Sequence, residues 1–169
     1  MTDRPTDVRI GIKQDEDAIW HLCQTIHAEC AFGGDLDEGM VRLAVGPALA
    51  REKGIVGIID GDNGEIAGAV VLKLTPWWYG PSLHWEDLFF YVAPQYRNGK
   101  RDQSLMAFCK WWTEQINDTG LEIPLVVGVF QEGRAEAKTR LWRKNFRQVG
   151  GLFVYGPTAR GMMGASDVQ

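Results

Sequence analysis

The chain has 169 residues, a length that fits about one domain and can bury a core without disulfides or a metal. Apolar residues make up 45% and charged residues 24%, which excludes a collagen, a coiled coil and a disordered tail protein. The net charge of −4 disfavours a generic nucleic-acid binder, and it is unevenly divided: residues 1–65 hold 13 acids and 6 bases, residues 66–169 hold 9 acids and 12 bases.

In chain order, Val8-Arg9-Ile10-Gly11-Ile12-Lys13 alternates apolar and polar residues and predicts a half-buried strand. Asp15 or Asp17 then caps a helix whose inner face carries Ile19, Leu22, Cys23, Ile26 and Cys30. A second helical stretch runs from near Asp35 to Lys53, with a break or a kink expected at Gly46-Pro47. Residues 55–60 and 66–75 read as strands of one hairpin around a Gly- and Asp-rich turn. Residues 76–82 form a loop carrying Trp77, Trp78 and Tyr79, and 85–92 is a third strand that stops at Pro94.

Residues 102–117 predict a helix with Leu105, Met106, Phe108, Cys109, Trp112 and Ile116 inward. A β-branched strand over 123–130, a basic helix over 134–146 and a last strand over 149–155 follow. The tail from 157 to 169 is small-residue-rich and expected to be flexible. This mixed order predicts an α+β (mixed α/β) fold: one domain over 1–156 with a mixed sheet and helices on both faces.

No apolar run approaches the roughly 18–20 residues of a membrane span. The start, MTDRPTDVRI, lacks the apolar segment of a secretory signal. Cys23, Cys30 and Cys109 show neither CxxC nor Cys/His metal spacing, and they suit a reducing, cytoplasmic compartment. His21, His27 and His84 are isolated, so no metal site is expected.

The most informative segment is Glu86 to Trp112: a strand, a short basic loop and a helix start. A helix N-terminus favours anions, and Arg97, Lys100 and Arg101 add positive charge. The stretch reads either as a pyrophosphate cradle or as a solvated basic loop. Trp77-Trp78-Tyr79 likewise reads either as a binding wall or as a lid on the core.

The element order, together with Val92-Ala93-Pro94-Gln95-Tyr96-Arg97, Leu105-Met106 and the later EAKTRLWRKNF, resembles the GNAT superfamily of acyl-CoA-dependent N-acyltransferases. The resemblance covers roughly residues 7–156 and looks most like small GNAT-like proteins encoded by phages. It implies a mostly antiparallel mixed sheet, acetyl-CoA as co-substrate, and transfer of acetyl to a primary amine by direct attack on the thioester. The implied acceptor is a small-molecule or peptide amine. The implied protein is a monomer or homodimer, without nucleic acid, membrane or metal.

By the same resemblance, Tyr91, Val92, Arg97, Asn98, Gly99, Lys100, Arg101 and Asp102 contact the cofactor, with a backbone N–H near Val92 as oxyanion donor. Glu86 and Asp87 are the candidate bases. Their side chains point to opposite faces, and Glu86 is preferred because Asp87 falls in phase with apolar Phe89 and Tyr91. Tyr91, Tyr96, Tyr155 or water are the candidate acids. The chain departs from the family pattern in carrying Lys100 and Asp102 where glycine and a small residue are usual, Ala135 at an asparagine position and Trp142 at a tyrosine position.

Two other readings stand beside this one. The first is a GNAT-fold protein that binds coenzyme A or a protein partner without catalysis. The second is acyl transfer to a modified nucleobase or tRNA, supported only by the basic 134–147 segment. On the leading reading the basic region holds the anionic cofactor, and the acidic early helices flank the channel of a cationic amine.

Overall fold

The computed structural model describes residues 3–29, 34–97, 99–128 and 135–148. The described elements are β1 (Arg9–Ile10), α1 (Glu16–Ala28), α2 (Glu38–Leu49), β2 (Gly54–Asp60), β3 (Ile66–Pro76), β4 (Leu83–Val92), α3 (Lys100–Asn117), β5 (Leu125–Val126) and α4 (Ala135–Arg143). The five strands form one sheet in sequence order, antiparallel throughout except for the parallel pair β4–β5. By compactness the chain divides into two units, one comprising Met1–Ile26 and Asp37–Gly128, the other His27–Leu36 and Val129–Gln169.

Strand β2 reads GIVGIID and is buried from Gly54 to Ile59. A nearly unbroken apolar run of this kind is what a strand covered on both faces requires. The glycines identify the two covers. A Cβ at Gly54 would lie 2.8 Å from the Ala48 Cβ on α2, and one at Gly57 would lie 2.6 Å from the Phe108 ring on α3. The two positions differ by an odd number, so they face opposite sides of the sheet. Helices α2 and α3 therefore cover opposite faces, and each glycine lets a helix approach more closely than any side chain would allow. Phe108, Leu105 and Cys109 are fully buried on the α3 side.

Several predicted boundaries move. Helix α2 begins after Asp37, whose carboxylate accepts the Met40 N–H at 2.7 Å, and not at Asp35. It runs through Pro47 and ends at Leu49, two residues later, so the expected break at Gly46-Pro47 is absent. The backbone bond that Pro47 cannot make would go to the Leu43 carbonyl, at a residue 72% exposed. Helix α3 starts at Lys100 and not at Asp102, because Gly99 takes the cap position with φ +80°. Of the strand expected over 123–130, Leu125–Val126 pairs with β4. The strand expected over 149–155 and the tail from 157 lie outside the described residues.

Candidate functional site

The site is organised by strand β4. Its ladder with β3 pairs Val71 with Phe89 but Leu72 with Asp87, so Leu88 is an extra, bulged residue. Below the bulge the side-chain phase inverts. Phe89 and Tyr91 share the α2 face, because they stand opposite Val71 and Ala69, which pair in turn with Val56 and Ile58. Asp87 lies on the α3 face, opposite Leu72, and Glu86 lies on the α2 face, opposite Lys73. The expected phase relation of Asp87 with Phe89 and Tyr91 is therefore corrected: Glu86 shares their face.

The two carboxylates have different surroundings. The Asp87 Oδ1 accepts the Gly128 N–H at 2.8 Å, tying β4 to the chain just after β5. Burial, and then the nearby Asp87 carboxylate, push the Cys109 thiol upward from its ordinary value. Glu86 is one-third exposed, and its Oε1 lies 2.7 Å from Lys73 Nζ. Its Oε2 lies 3.3 Å from His84 Nε2. His84 is 6% exposed and stacks on Trp77 with ring centroids 4.0 Å apart.

At the other end of β4, the Ala93 N–H donates to the Ala67 carbonyl at 2.9 Å. Backbone groups alternate in direction along a strand, so those of Val92 and Phe90 point to the opposite edge. That edge pairs with β5 only at Trp85 and Glu86 among the described residues. The Val92 carbonyl there accepts Arg97 Nε at 2.9 Å, and the Arg97 guanidinium lies 5.3 Å from the Tyr91 ring centroid.

The loop then turns through Gly99 into α3. A Cβ at Gly99 would meet nothing within 4 Å, so the glycine is required by its φ of +80° and not by crowding. Lys100 is exposed in the first helical turn. Arg101 stacks on Tyr96 at 4.7 Å and donates to its carbonyl at 3.3 Å. Asp102 is 4% exposed, so its side chain is turned away from the surface where an anion would sit. An acid in the first turn also complements the helix dipole. Asn98 lies outside the described residues.

Tyr96 is engaged elsewhere. Its hydroxyl donates to Glu65 and accepts the Asp62 N–H at 2.8 Å, holding the β2–β3 turn. The Glu65 bond raises the Tyr96 hydroxyl above its ordinary value. Tyr91 is 2% exposed, and Tyr155 lies outside the described residues. Trp142, in the second unit, is buried and packs edge-on against Phe146 at 5.0 Å. His21 contacts Gln24, and His27 Nε2 contacts the Gly34 carbonyl.

Sequence reasoning did not place Lys73 or His84 beside Glu86. Both contacts depend on the β3–β4 register, which the Leu88 bulge shifts and which no local pattern announces.

No protein-family model matches the chain, and no curated protein matches it. Solved structures do. The chain is similar to a GNAT family acetyltransferase from Staphylococcus aureus, with 11% identity, a TM-score of 0.57, and 88% of this chain and 96% of that chain covered. It is similar to a ribosomal-protein-alanine N-acetyltransferase from Brucella melitensis, with 13% identity, a TM-score of 0.61, and 89% and 97% covered. It is also similar to an aminoglycoside acetyltransferase from an uncultured soil metagenomic sample, with 16% identity, a TM-score of 0.61, and the same coverage. The fold is that of the GNAT acyltransferases, with a mostly antiparallel sheet, five strands of it among the described residues, and helices on both faces.

Proposed function

We propose that the chain is an N-acetyltransferase that moves acetyl from acetyl-CoA to a primary amine. The observation that carries this reading is the junction of β4 and α3. There, the Val92 N–H, which points away from β3, lies just before a helix start capped by left-handed Gly99. The residues present fit the co-substrate. The space beside Gly99 is open, Lys100 is exposed, and the first turn of α3 directs its N–H groups outward. Arg97 and Arg101 are steered to this end of the strand by Tyr91 and Tyr96.

When bound, the co-substrate supplies an acetyl thioester. The Val92 N–H donates to the carbonyl oxygen as negative charge develops there. Glu86, one-third exposed on the α2 face, accepts the proton from the incoming ammonium, directly or through water. Asp87 holds the chain after β5 in place through Gly128. Its orientation toward α3 supports Glu86 over Asp87 as base. The acidic balance of residues 1–65 favours a cationic acceptor.

Calorimetric titration with acetyl-CoA tests the reading. Binding that weakens with added salt is expected, and no binding at millimolar concentration overturns it. A second reading, coenzyme A binding without transfer, is favoured by one observation: both Glu86 oxygens already have cationic or imidazole partners. Bound acetyl-CoA that no amine consumes would select it.

A further inference from the structure

We propose that Tyr96 and Glu65 are positioning residues for the co-substrate: through one hydroxyl, the turn between β2 and β3 sets the affinity of the α3 helix start for the phosphates of coenzyme A. The inference rests on the acetyl-transfer reading for the identity of the ligand, and it adds a control exerted from outside the helix start.

The cap of α3 is not fixed by its own residue. Gly99 has no side chain to bond the first-turn N–H groups, and a Cβ there would meet nothing within 4 Å. An anion site built from backbone N–H groups gains affinity when the backbone is held in place before the anion arrives. The residues just before the cap do the holding. Arg97 is one anchor, through the Val92 carbonyl. Tyr96 is the other.

Tyr96 is 7% exposed and uses three groups at once. Its carbonyl accepts Arg101 Nη1 at 3.3 Å, and the Arg101 guanidinium lies 4.7 Å from the centroid of its ring. Its hydroxyl reaches the β2–β3 turn, where it donates to the Glu65 carboxylate and accepts the Asp62 N–H at 2.8 Å. The turn is shaped to receive that hydroxyl. A Cβ at Gly61 would lie 2.8 Å from the Tyr96 oxygen, so a side chain there would push it away. The Gly61 N–H donates to the Glu65 carbonyl at 2.8 Å and closes the turn.

The foundation under this strut is firm. Strands β2 and β3 pair from Gly54 with Lys73 to Asp60 with Ile66, which brings the ladder up to the turn itself. The hydroxyl therefore joins a hydrogen-bonded hairpin to the segment that presents Arg101 and the first-turn N–H groups. Without it the ring loses its tether, and Arg101 moves with the ring. The ligand must then order the segment on binding, and that cost appears as lost affinity.

The test is calorimetric titration of the full chain with coenzyme A, with melting temperature as the control for folding. Tyr96→Phe keeps the ring under Arg101 and removes only the hydroxyl, and should weaken binding about threefold to tenfold. Glu65→Ala should weaken it similarly. Glu65→Gln, whose amide oxygen still accepts the hydroxyl, should bind more tightly than Glu65→Ala. Both Glu65 variants lose the same charge, so their difference isolates the hydrogen bond. Arg101→Ala should weaken binding less in the Tyr96→Phe background than in the wild type, because the hydroxyl acts in part through Arg101. General loosening of the fold would add to the Arg101 effect instead. Unchanged affinity in Tyr96→Phe, equal affinity in the two Glu65 variants, or full additivity with Arg101→Ala overturns this inference alone. If Tyr96→Phe does not fold, the two Glu65 variants decide. No binding of coenzyme A by the wild type overturns the acetyl-transfer reading and this inference with it.

Discussion

Leu72 stands opposite Asp87 across the β3–β4 ladder, although its neighbour Val71 stands opposite Phe89. One bulged residue, Leu88, separates the two pairings. It sends Asp87 toward α3 and leaves Glu86 on the face of Tyr91. Two adjacent carboxylates thus acquire different work from a single inserted residue.

The two carboxylates should separate cleanly under mutation. Glu86→Gln keeps the size of the side chain and removes the base, so turnover should fall by about 10²- to 10⁴-fold with acetyl-CoA affinity unchanged. Asp87→Ala removes the acceptor of the Gly128 N–H and should cost about 1–3 kcal/mol of stability. Steady-state kinetics and urea melts on both variants check the split. Full turnover in the glutamine variant would end the assignment of Glu86 as base.

The cofactor end should respond in two distinguishable ways. Gly99→Ala places a side chain at φ +80°, with open space around it, so the expected cost is backbone strain of about 1–2 kcal/mol and not a clash. Lys100→Ala should leave stability unchanged and reduce the salt dependence of acetyl-CoA binding. Arg97→Ala should do more, since it also loses the contact to the Val92 carbonyl that shapes the edge of β4. Titrations at two salt concentrations, paired with thermal melts, separate strain from lost charge.

Much of the frame was legible in the sequence. The buried run 55–59, the turn at 61–65 and the amphipathic stretch behind Gly99 each carry local patterns, and each forms the expected element. The site was less legible because its contacts are long-range. Asp87 was expected in phase with Phe89 by simple alternation, and alternation fails wherever a bulge intervenes. The ion pair of Lys73 with Glu86 and the burial of His84 under Trp77 both follow from the shifted register. The early start of α3 has a different cause. Lys100 and Arg101 read as part of a basic loop ahead of Asp102, and the cap is glycine in the left-handed region with no side-chain hydrogen bond.

Gly57 and Phe108 should behave as one unit. A methyl group at residue 57 would lie 2.6 Å from the fully buried Phe108 ring, so the ring or the backbone must shift to admit it. Gly57→Ala should destabilise by about 1–3 kcal/mol through overpacking. Phe108→Ala should cost about 3–5 kcal/mol through the cavity it leaves. The pair Gly57→Ala with Phe108→Leu should be less destabilised than the two changes summed, because the smaller side chain admits the methyl. Denaturant melts on the wild type, Gly57→Ala, Phe108→Leu and the double variant decide this, and simple additivity would show that the contact does not govern the approach of α3.

The acid side of the stability profile should depend on Asp15. Arg9 makes two parallel bonds of 2.8 Å to its carboxylate, and the Ile12 N–H adds a third contact of the same length. The Arg9 hydrogen bonds are the largest influence, and they hold the Asp15 carboxyl below its ordinary value of 3.8. The unfolded chain therefore takes up a proton more readily at this position than the folded one. The stabilisation is complete well above the ordinary value, and it is lost as pH falls through the lower folded value. Arg9 is itself 38% exposed, and solvent screening limits the gain at neutral pH to about 1–2 kcal/mol. Asp15→Asn should lower the melting temperature at pH 7 and flatten the loss of stability between about pH 5 and 2. Parallel pH–melt curves that keep a constant separation down to pH 2 would show that this carboxylate contributes nothing to acid sensitivity.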